Sequence, residues 1–335
     1  MAKVCYLIGA GASAQCVPVV NGMKDDMAKL RKELSEYFPT NITERSLNKD
    51  LVEKYDQIIK TLDHLEDVCD RYYSIDTYAK KLYLTKRTLF SALKLDLCLY
   101  FTLRQIVTNP DKRYDNFFAS IITSDNKLPS KINIISWNYD FQIEKSYSEF
   151  NSDGDIEWTR SKLGIMSPKH HEWYINYTDC FNTVKLNGSA RITTKDYEGY
   201  MFESFAISKH EMIMQVTDKY LQMQREAVVC ELKFAWENDN YSDLFKAAAT
   251  SLSAITVLVI VGYSFPFFNR EVDNALFNKM INLSKIYIQD CNPEAIHERM
   301  KEFVTPHNAS GRIIEYVYKD DLTQFVYPKE LDVVS

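Results

Sequence analysis

The sequence predicts an α/β protein with a Rossmann-like, doubly wound and mostly parallel sheet that carries a large helical insertion. Three observations indicate this fold class. Short apolar segments rich in β-branched residues recur along the 335-residue chain, and helical patterns separate several of them. Such segments are typical of parallel strands that are buried on both faces. Several of these segments also end in a short stretch rich in Gly, Ser, Asn or Asp.

The first predicted strand runs from Lys3 to Ile8, and Gly9 to Ser13 form a turn into a helix. A secretory signal that ends in A-S-A is an alternative interpretation of this opening. The apolar run from Val4 to Ile8 is too short for the core of a signal, and glycine interrupts it at once. No stretch reaches the roughly 18 apolar residues that a transmembrane helix needs. We therefore expect a cytoplasmic protein.

A charged, helical pattern extends from about residue 25 to residue 107, and Gly22 is the only glycine between residues 12 and 153. This is more helix than one crossover between parallel strands needs. We predict a helical insertion or subdomain over residues 25–125, with a set of ordinary crossover helices as the alternative. The basic stretch over residues 80–94 has its charges at helical spacing, which is typical of a solvent-exposed helix face.

The strand pattern returns after Pro129, and its longest apolar run, I-T-V-L-V-I-V, predicts a buried strand. The five further predicted strands are Ile132–Trp137, Thr183–Asn187, Ile255–Val261, Lys285–Asp290 and Ile313–Val317. The predicted helices in this part of the chain are Glu211–Trp236, Tyr241–Ser253 and Glu271–Ile281.

The charge and cysteine content exclude several classes of protein. The formal net charge of −6 predicts no overall attraction to nucleic acid or to an anionic membrane. The seven cysteines are scattered and never spaced C-x-x-C. This pattern argues against a disulfide framework and against a structural zinc module, and it is consistent with a reducing compartment. We expect no metal cofactor.

Open parallel sheets bind ligands at the carboxyl ends of their strands. The stretches that follow the predicted strands are G-A-G-A-S, W-N-Y-D, N-G-S, G-Y-S-F-P and D-C-N-P. Five such stretches at one sheet edge predict a polar site for a nucleotide. Taken singly, each has a simpler explanation, because W-N-Y-D could cap the next helix and the later stretches could be plain turns.

The segment Gly9-Ala10-Gly11-Ala12-Ser13-Ala14 fits the G-x-G-x-x-G/A pattern after a strand. Its small residues allow backbone N–H groups to approach a diphosphate. A dehydrogenase would next show a strand that ends in Asp or Glu about 20 residues later. Residues 20–37 instead have a loop and helix pattern, so the sequence does not favour a dehydrogenase.

Together, G-A-G-A-S, S-W-N-Y-D, K-L-N-G-S, G-Y-S-F-P and D-C-N-P resemble the sirtuin superfamily. They are most similar to the bacterial sirtuin-like NAD⁺ hydrolases of anti-phage defence. The stretches at residues 74–82, 111–117 and 261–273 are also similar to that bacterial branch. The resemblance covers nearly the whole chain and implies one sirtuin-like NAD-binding domain over residues 1–335.

The resemblance implies a role for each matching residue. Asn138 would hold the ribose next to the nicotinamide and position the attacking group, and Asp140 would contact the carboxamide. Gly262 and Ser264 would lie on the phosphates and the adenosine ribose, and Asn292 would hold that ribose. The residues that would line the diphosphate are Gly9, Ala10, Gly11, Ala12 and Ser13.

Two departures from the family bear on the reaction. Asn187 stands where the family usually has its catalytic His, and the four-cysteine zinc module of the deacylases is absent. A deacylase needs that His to activate a ribose hydroxyl, whereas hydrolysis of NAD⁺ needs little help from a base. Asn187 could instead orient a water molecule. His170 and His171 could reach the site, although a surface pair is the simpler interpretation.

The resulting expectation is an NAD⁺ glycohydrolase that acts in anti-phage defence by depleting NAD⁺. Such an activity must be gated, and we expect a partner protein or a homo-oligomer to do so, with residues 25–125 as the contact surface. The first alternative is a catalytically silent subunit that binds NAD⁺ or ADP-ribose. The second is a protein deacylase or ADP-ribosyltransferase.

Overall fold

The computed structural model describes residues 2–39, 48–150, 154–167, 180–237, 244, 246, 249–309 and 313–332. Two sheets are formed within these ranges. In chain order, the strands are β1 (Val4–Ile8), β2 (Ile132–Ser136), β3 (Ile165–Met166), β4 (Asn182–Lys185), β5 (Ile192–Thr193), β6 (Glu198–Gly199), β7 (Val229–Cys230), β8 (Val257–Val261), β9 (Lys285–Gln289) and β10 (Glu315–Lys319).

The larger sheet has seven strands, all parallel, in the order β10-β9-β8-β1-β2-β4-β3. The chain first extends the sheet from β1 towards β3, and it then returns to the other side of β1 with β8, β9 and β10. The direction of extension therefore reverses between β1 and β8, which is where a ligand crevice is expected in such a sheet. Ile8 pairs with both Ser136 and Val261, so the three central strands end level with one another.

The predicted fold class is confirmed, and all six predicted strands are present. The boundaries of three strands differ by two residues from the predicted ones. The strand β4 stops at Lys185, so Asn187 lies in the turn that follows, β8 begins at Val257, and β10 covers Glu315–Lys319. The edge strand β3 and the antiparallel sheet β6-β5-β7 are not predicted by the sequence. Each of these strands is two residues long, which is too short for an apolar alternation to be recognised.

Helices cover both faces of the larger sheet and form a separate layer beside it. In chain order, the helices of the described residues are α1 (Met23–Leu34), α2 (Lys49–Arg71), α3 (Ile75–Thr85), α4 (Arg87–Val107), α5 (Lys112–Ile121), α6 (Gln142–Ser148), α7 (Ile156–Lys162), α8 (Lys209–Met223), α9 (Ala249–Ala254), α10 (Arg270–Lys279) and α11 (Pro293–Ala309).

The side chains of β1 alternate between the two faces of the sheet, as the pleat of a strand requires. Val4, Tyr6 and Ile8 pack in one core with side chains of α5 and α6. Cys5 and Leu7 pack in a second core with side chains of α10 and α11. Because helices cover both faces, β1 and β8 are apolar throughout rather than alternating apolar and polar.

The predicted helical segment is present as α1 to α4, which pack into one layer together with α8. We call these five helices the helical layer. Every residue of α4 from Leu97 to Ile106 is buried, so this helix lies at the centre of the layer. Because α8 comes from residues 209–223, the layer includes a helix from outside residues 25–125.

The helix predicted over Glu211–Trp236 is wrong in its second half. The helix α8 ends at Met223, and an exposed polar stretch, residues 224–227, follows it. The next residues form β7 because the β-branched pair Val228-Val229 favours an extended backbone that can pair with β5. The helix predicted over Glu271–Ile281 is present as α10. Most of the helix predicted over Tyr241–Ser253 lies outside the described residues, and α9 covers its end.

No helix among the residues described combines the length and the apolar character that crossing a bilayer requires.

Candidate functional site

A turn follows β1 and packs directly against the loop that follows β8. We call residues Gly9–Ser13 the glycine turn. The N–H of Gly9 donates to the Val261 carbonyl at 3.0 Å, and the N–H of Gly11 donates to the Gly262 carbonyl at 2.9 Å. A methyl group placed on Gly11 would lie 2.8 Å from the Gly262 Cα atom. Glycine is therefore required because two backbones touch at this point.

The glycine turn is a short 3-10 turn over Ala10–Ser13, and the prediction that it leads directly into a helix is wrong. The N–H groups of Cys16 and Val17 both donate to the Ser13 carbonyl, which ends the turn. Pro18 follows and has no N–H with which to continue a helix. The next α-helix, α1, begins only at Met23.

Asn138 joins the loop after β2 to the glycine turn. Its Nδ2 donates to the Gly9 carbonyl at 3.0 Å and to the Ser13 Oγ at 3.2 Å. The Asn138 side chain therefore faces the turn, and it does not cap α6 as the simpler interpretation of W-N-Y-D suggested. Only 7% of Asn138 and 1% of Ser13 are exposed to solvent, so these hydrogen bonds are shielded from competing water.

Asp140 is buried beside the same cluster. Its carboxylate accepts a hydrogen bond from the N–H of Gln142, the first residue of α6, at 3.2 Å. The simpler interpretation, in which W-N-Y-D caps the next helix, therefore holds for Asp140 but not for Asn138. Burial raises the pKa of the Asp140 carboxyl, while the charge of Lys185 and the nearby Ser13 hydroxyl oppose the rise.

A network of buried charges lies behind Asp140. Lys185 is fully buried, and its Nζ donates to the Asp140 carbonyl at 2.6 Å and to Glu144 at 2.9 Å. Glu144 also accepts hydrogen bonds from Arg160 at 3.1 Å and from the Tyr200 hydroxyl at 2.9 Å. Burial disfavours the ionised form of Glu144, but Lys185 and Arg160 outweigh it, and the pKa of Glu144 is lowered. The backbone of Asp140 is thus fixed by a paired cation.

Asn187 lies in the turn after β4 and contacts the loop that carries Asn138. Its Nδ2 donates to the Trp137 carbonyl at 3.0 Å, and 7% of the residue is exposed. The Trp137 ring stacks on Tyr263 with ring centroids 5.8 Å apart. The loops after β2, β4 and β8 are therefore connected through Trp137.

Ser264 and Asn292 are exposed on the loops after β8 and β9. The Ser264 carbonyl accepts a hydrogen bond from Arg299 at 3.0 Å. The Asn292 side-chain oxygen accepts the Ala295 N–H at 3.1 Å, which caps the start of α11. Both residues lie at the carboxyl edge of the sheet, and their ligand roles stay predictions. His170 and His171 lie outside the described residues.

Two residues near the start of α5 contact the glycine turn, and the sequence analysis assigned them no role. The Tyr114 hydroxyl lies 3.0 Å from Ser13 Oγ. The Arg113 Nη2 donates to the Gly11 and Ala12 carbonyls, both at 3.0 Å. Residues 111–117 are one of the stretches on which the family resemblance rests, but nothing in the sequence shows that Arg113 is buried.

Asp273 is a third residue that the sequence did not identify. It is fully buried, and both of its carboxylate oxygens accept the Tyr263 hydroxyl, at 2.7 and 3.0 Å. Asn269 donates to the same hydroxyl oxygen at 3.0 Å. Asp273 therefore supports, from behind, the tyrosine that stacks on Trp137.

No family model matches the sequence, and a search of curated proteins finds no match. Within the described ranges, no group of three or more His, Cys, Asp or Glu side chains is arranged to hold a metal ion.

The contact between the two glycine-containing loops predicts a difference between two glycine-to-alanine variants. Gly262 has φ +56°, and a methyl group on it would lie 2.5 Å from the Gly11 Cα. We expect Gly262→Ala to lower the free energy of unfolding by more than about 1 kcal/mol. Gly22→Ala is the control, because its methyl group would meet only Pro18 Cβ, at 3.3 Å, and its effect should stay within about 0.5 kcal/mol. Chemical denaturation measures both, and equal effects would contradict the contact.

The buried carboxyl of Asp273 predicts that the stability of the fold depends on pH. Burial raises the pKa of Asp273 to about 7, while the Tyr263 hydroxyl and the nearby Trp137 indole oppose the rise. The fold therefore favours the protonated form. This stabilisation is complete below the unfolded-state pKa of about 3.9 and is lost as the pH rises through about 7.

Asp273→Asn removes this titration and keeps the shape of the side chain. We expect its melting temperature to rise relative to the wild type between about pH 4 and about pH 7, and the difference to stay constant at higher pH. Thermal melts across this range measure the difference, with the exposed Asp320→Asn as the control. A difference that does not change with pH would show that Asp273 does not titrate in this way.

Proposed function

We propose that the protein is a sirtuin-like NAD⁺ glycohydrolase that cleaves NAD⁺ to nicotinamide and ADP-ribose. The observation that carries this proposal is the pair of hydrogen bonds from Asn138 to Gly9 and Ser13, at 3.0 and 3.2 Å. They connect the loop assigned by resemblance to the reacting ribose with the turn assigned to the diphosphate. They do so at the switch point of the sheet, where this class of fold binds nucleotides.

In the proposed reaction, the main task of the protein is to orient its substrate. The glycosidic bond breaks, and its electron pair moves to the pyridinium nitrogen, so nicotinamide leaves as a neutral ring without a general acid. Water then bonds to the anomeric carbon and releases a proton. The transition state carries positive charge on the ribose, and fixed polar groups stabilise it best. We assign the ribose to Asn138 and the carboxamide to Asp140.

Asn187 bears on which reaction is favoured. An amide cannot take up a proton, so Asn187 cannot replace the family's His as a base. Capture of an oxocarbenium-like centre by water needs little base, whereas a deacylase must activate a ribose hydroxyl. The residue therefore supports hydrolysis over deacylation.

A silent NAD⁺- or ADP-ribose-binding subunit is the second candidate. One observation favours it: the Asn187 Nδ2 is committed to the Trp137 carbonyl at 3.0 Å. An amide held in this way supports the loop structure without taking part in chemistry. The two candidates predict the same ligand and differ in turnover.

The cellular role that we propose follows from the chemistry. An ungated NAD⁺ hydrolase would harm its own cell, so we propose a cytoplasmic effector of anti-phage defence that is silent until triggered. Gating would come from a partner protein or from homo-oligomer assembly through residues 25–125. With a net charge of −6, direct binding to nucleic acid or membrane is not part of this proposal.

The proposal predicts that Asn138→Ala abolishes nicotinamide release. The variant loses the contact to the ribose and both hydrogen bonds to the glycine turn, so we expect a decrease of about 100-fold or more. Nicotinamide and ADP-ribose are measured by chromatography, with purified protein assayed alone and with the products of neighbouring genes. Asn116→Ala, an exposed asparagine on α5, is the control and should keep full activity.

Three outcomes separate the candidates. Turnover by the wild type that Asn138→Ala loses supports the glycohydrolase. Binding of ADP-ribose by calorimetry without turnover, under every activating condition, supports the silent subunit. Full activity of Asn138→Ala would overturn the assignment of the site.

A further inference from the structure

We infer that Arg113 is a positioning residue of the glycine turn, through which the helical layer acts on the proposed nucleotide site. The inference rests on the proposed function. Arg113 is 6% exposed, and it approaches the turn from the side of α5. Its Nη2 donates to two consecutive carbonyls, those of Gly11 and Ala12, at 3.0 Å each.

Asp111 fixes the orientation of this guanidinium. Its carboxylate accepts the Arg113 Nε at 2.9 Å and the Arg113 Nη2 at 2.6 Å. The Asp111 side chain is fully buried, so little water competes for these bonds. The same carboxylate accepts the N–H of Gln15 at 3.2 Å, just beyond the turn. The Asp111–Arg113 pair therefore holds the turn at three backbone positions.

Holding two carbonyls sets the direction of the peptide groups that follow them. Each peptide unit is planar, so fixing a carbonyl also fixes the N–H of the next residue. The carbonyls of Gly11 and Ala12 determine in this way the direction of the Ala12 N–H, which donates to the Gly9 carbonyl at 2.9 Å, and of the Ser13 N–H. Arginine suits this task because its Nε and Nη2 together hold the carboxylate while the same Nη2 reaches both carbonyls, an arrangement that a single lysine ammonium on a flexible chain does not reproduce.

A chain of buried amides connects this pair to the centre of the helical layer. The N–H of Asp111 donates to Gln142 Oε1 at 2.8 Å. The Gln142 Nε2 donates to Gln105 Oε1 at 3.2 Å, and that oxygen also accepts the Phe141 N–H at 2.7 Å. Gln105 belongs to α4 and is fully buried. A displacement of α4 is therefore transmitted to Asp111, to Arg113 and then to the turn.

This coupling gives the proposed gating a physical route. A partner that binds the helical layer would not need to reach the nucleotide. It would act by tightening or loosening the hold of Arg113 on the Gly11 and Ala12 carbonyls. The predicted result is a change in nucleotide affinity before any change in the chemical step.

The test uses the full chain and three variants. Arg113→Lys keeps the charge but loses the fork, and Tyr114→Phe removes only the hydroxyl at Ser13. Arg191→Lys is the matched control, because Arg191 is also buried and pairs with Glu157 of α7 at 2.8 Å, outside the chain of amides that leads to the turn. Calorimetry measures the Kd for ADP-ribose and NAD⁺, and hydrogen exchange without ligand measures the opening of residues 9–17.

We expect Arg113→Lys to weaken nucleotide binding by about 10-fold to 100-fold and to speed exchange across residues 9–17, with a smaller loss for Tyr114→Phe. Where turnover is measurable, KM should rise more than kcat falls. Arg191→Lys should match the wild type in both measurements. Wild-type affinity in Arg113→Lys, or an equal loss in Arg191→Lys, would overturn the inference.

The proposed function fails separately if the wild type binds neither ADP-ribose nor NAD⁺. In that case the role of Arg113 at a nucleotide site falls with it, and hydrogen exchange alone decides whether Arg113 holds the turn.

Discussion

The backbone contact between Gly11 and Gly262 is the constraint on which the rest of the site depends. It exists because β1 and β8 are parallel neighbours whose strands end level, at Ile8 and Val261. Two backbone segments can approach this closely only where neither of the touching residues has a Cβ atom. The contact places the glycine turn within reach of Asn138 from one side and of Arg113 from the other. A side chain at either glycine would displace the glycine turn and, with it, the contacts to Asn138 and Arg113.

The groups that support the site are charged, buried and paired. Lys185, Glu144 and Arg160 lie beneath the Asp140 loop, and Asp111 with Arg113 lies behind the glycine turn. Burying such groups is unfavourable unless each has a partner, and breaking a pair is more destabilising than losing an exposed one. Paired buried charges also allow few alternative arrangements. The two ion-pair clusters therefore give the loops a defined shape that apolar packing alone would specify less sharply.

The sequence predicts the central sheet well because each strand is a continuous apolar segment followed by small polar residues. The sequence also predicts that one edge of the sheet carries Gly9, Ser13, Asn138 and Gly262, because parallel strands end at a common edge. It does not reveal Arg113 or Asp273, since a charged residue in a helical pattern is usually exposed and only tertiary packing buries these two. It also misses β5 and β7, whose pairing depends on contacts between distant residues rather than on local periodicity.

The position of β1 has a consequence for the order in which the protein folds. This strand precedes the other strands of the sheet in the chain, yet it lies in the middle of the sheet, between β2 and β8. The glycine turn can meet Gly262 only after the roughly 250 residues between them have been synthesised. Contacts between such distant residues form slowly, because a long loop must close first. A partly synthesised chain therefore contains the glycine turn without its backbone contact to Gly262. The loops around the turn therefore reach their complete arrangement only after β8 has been synthesised.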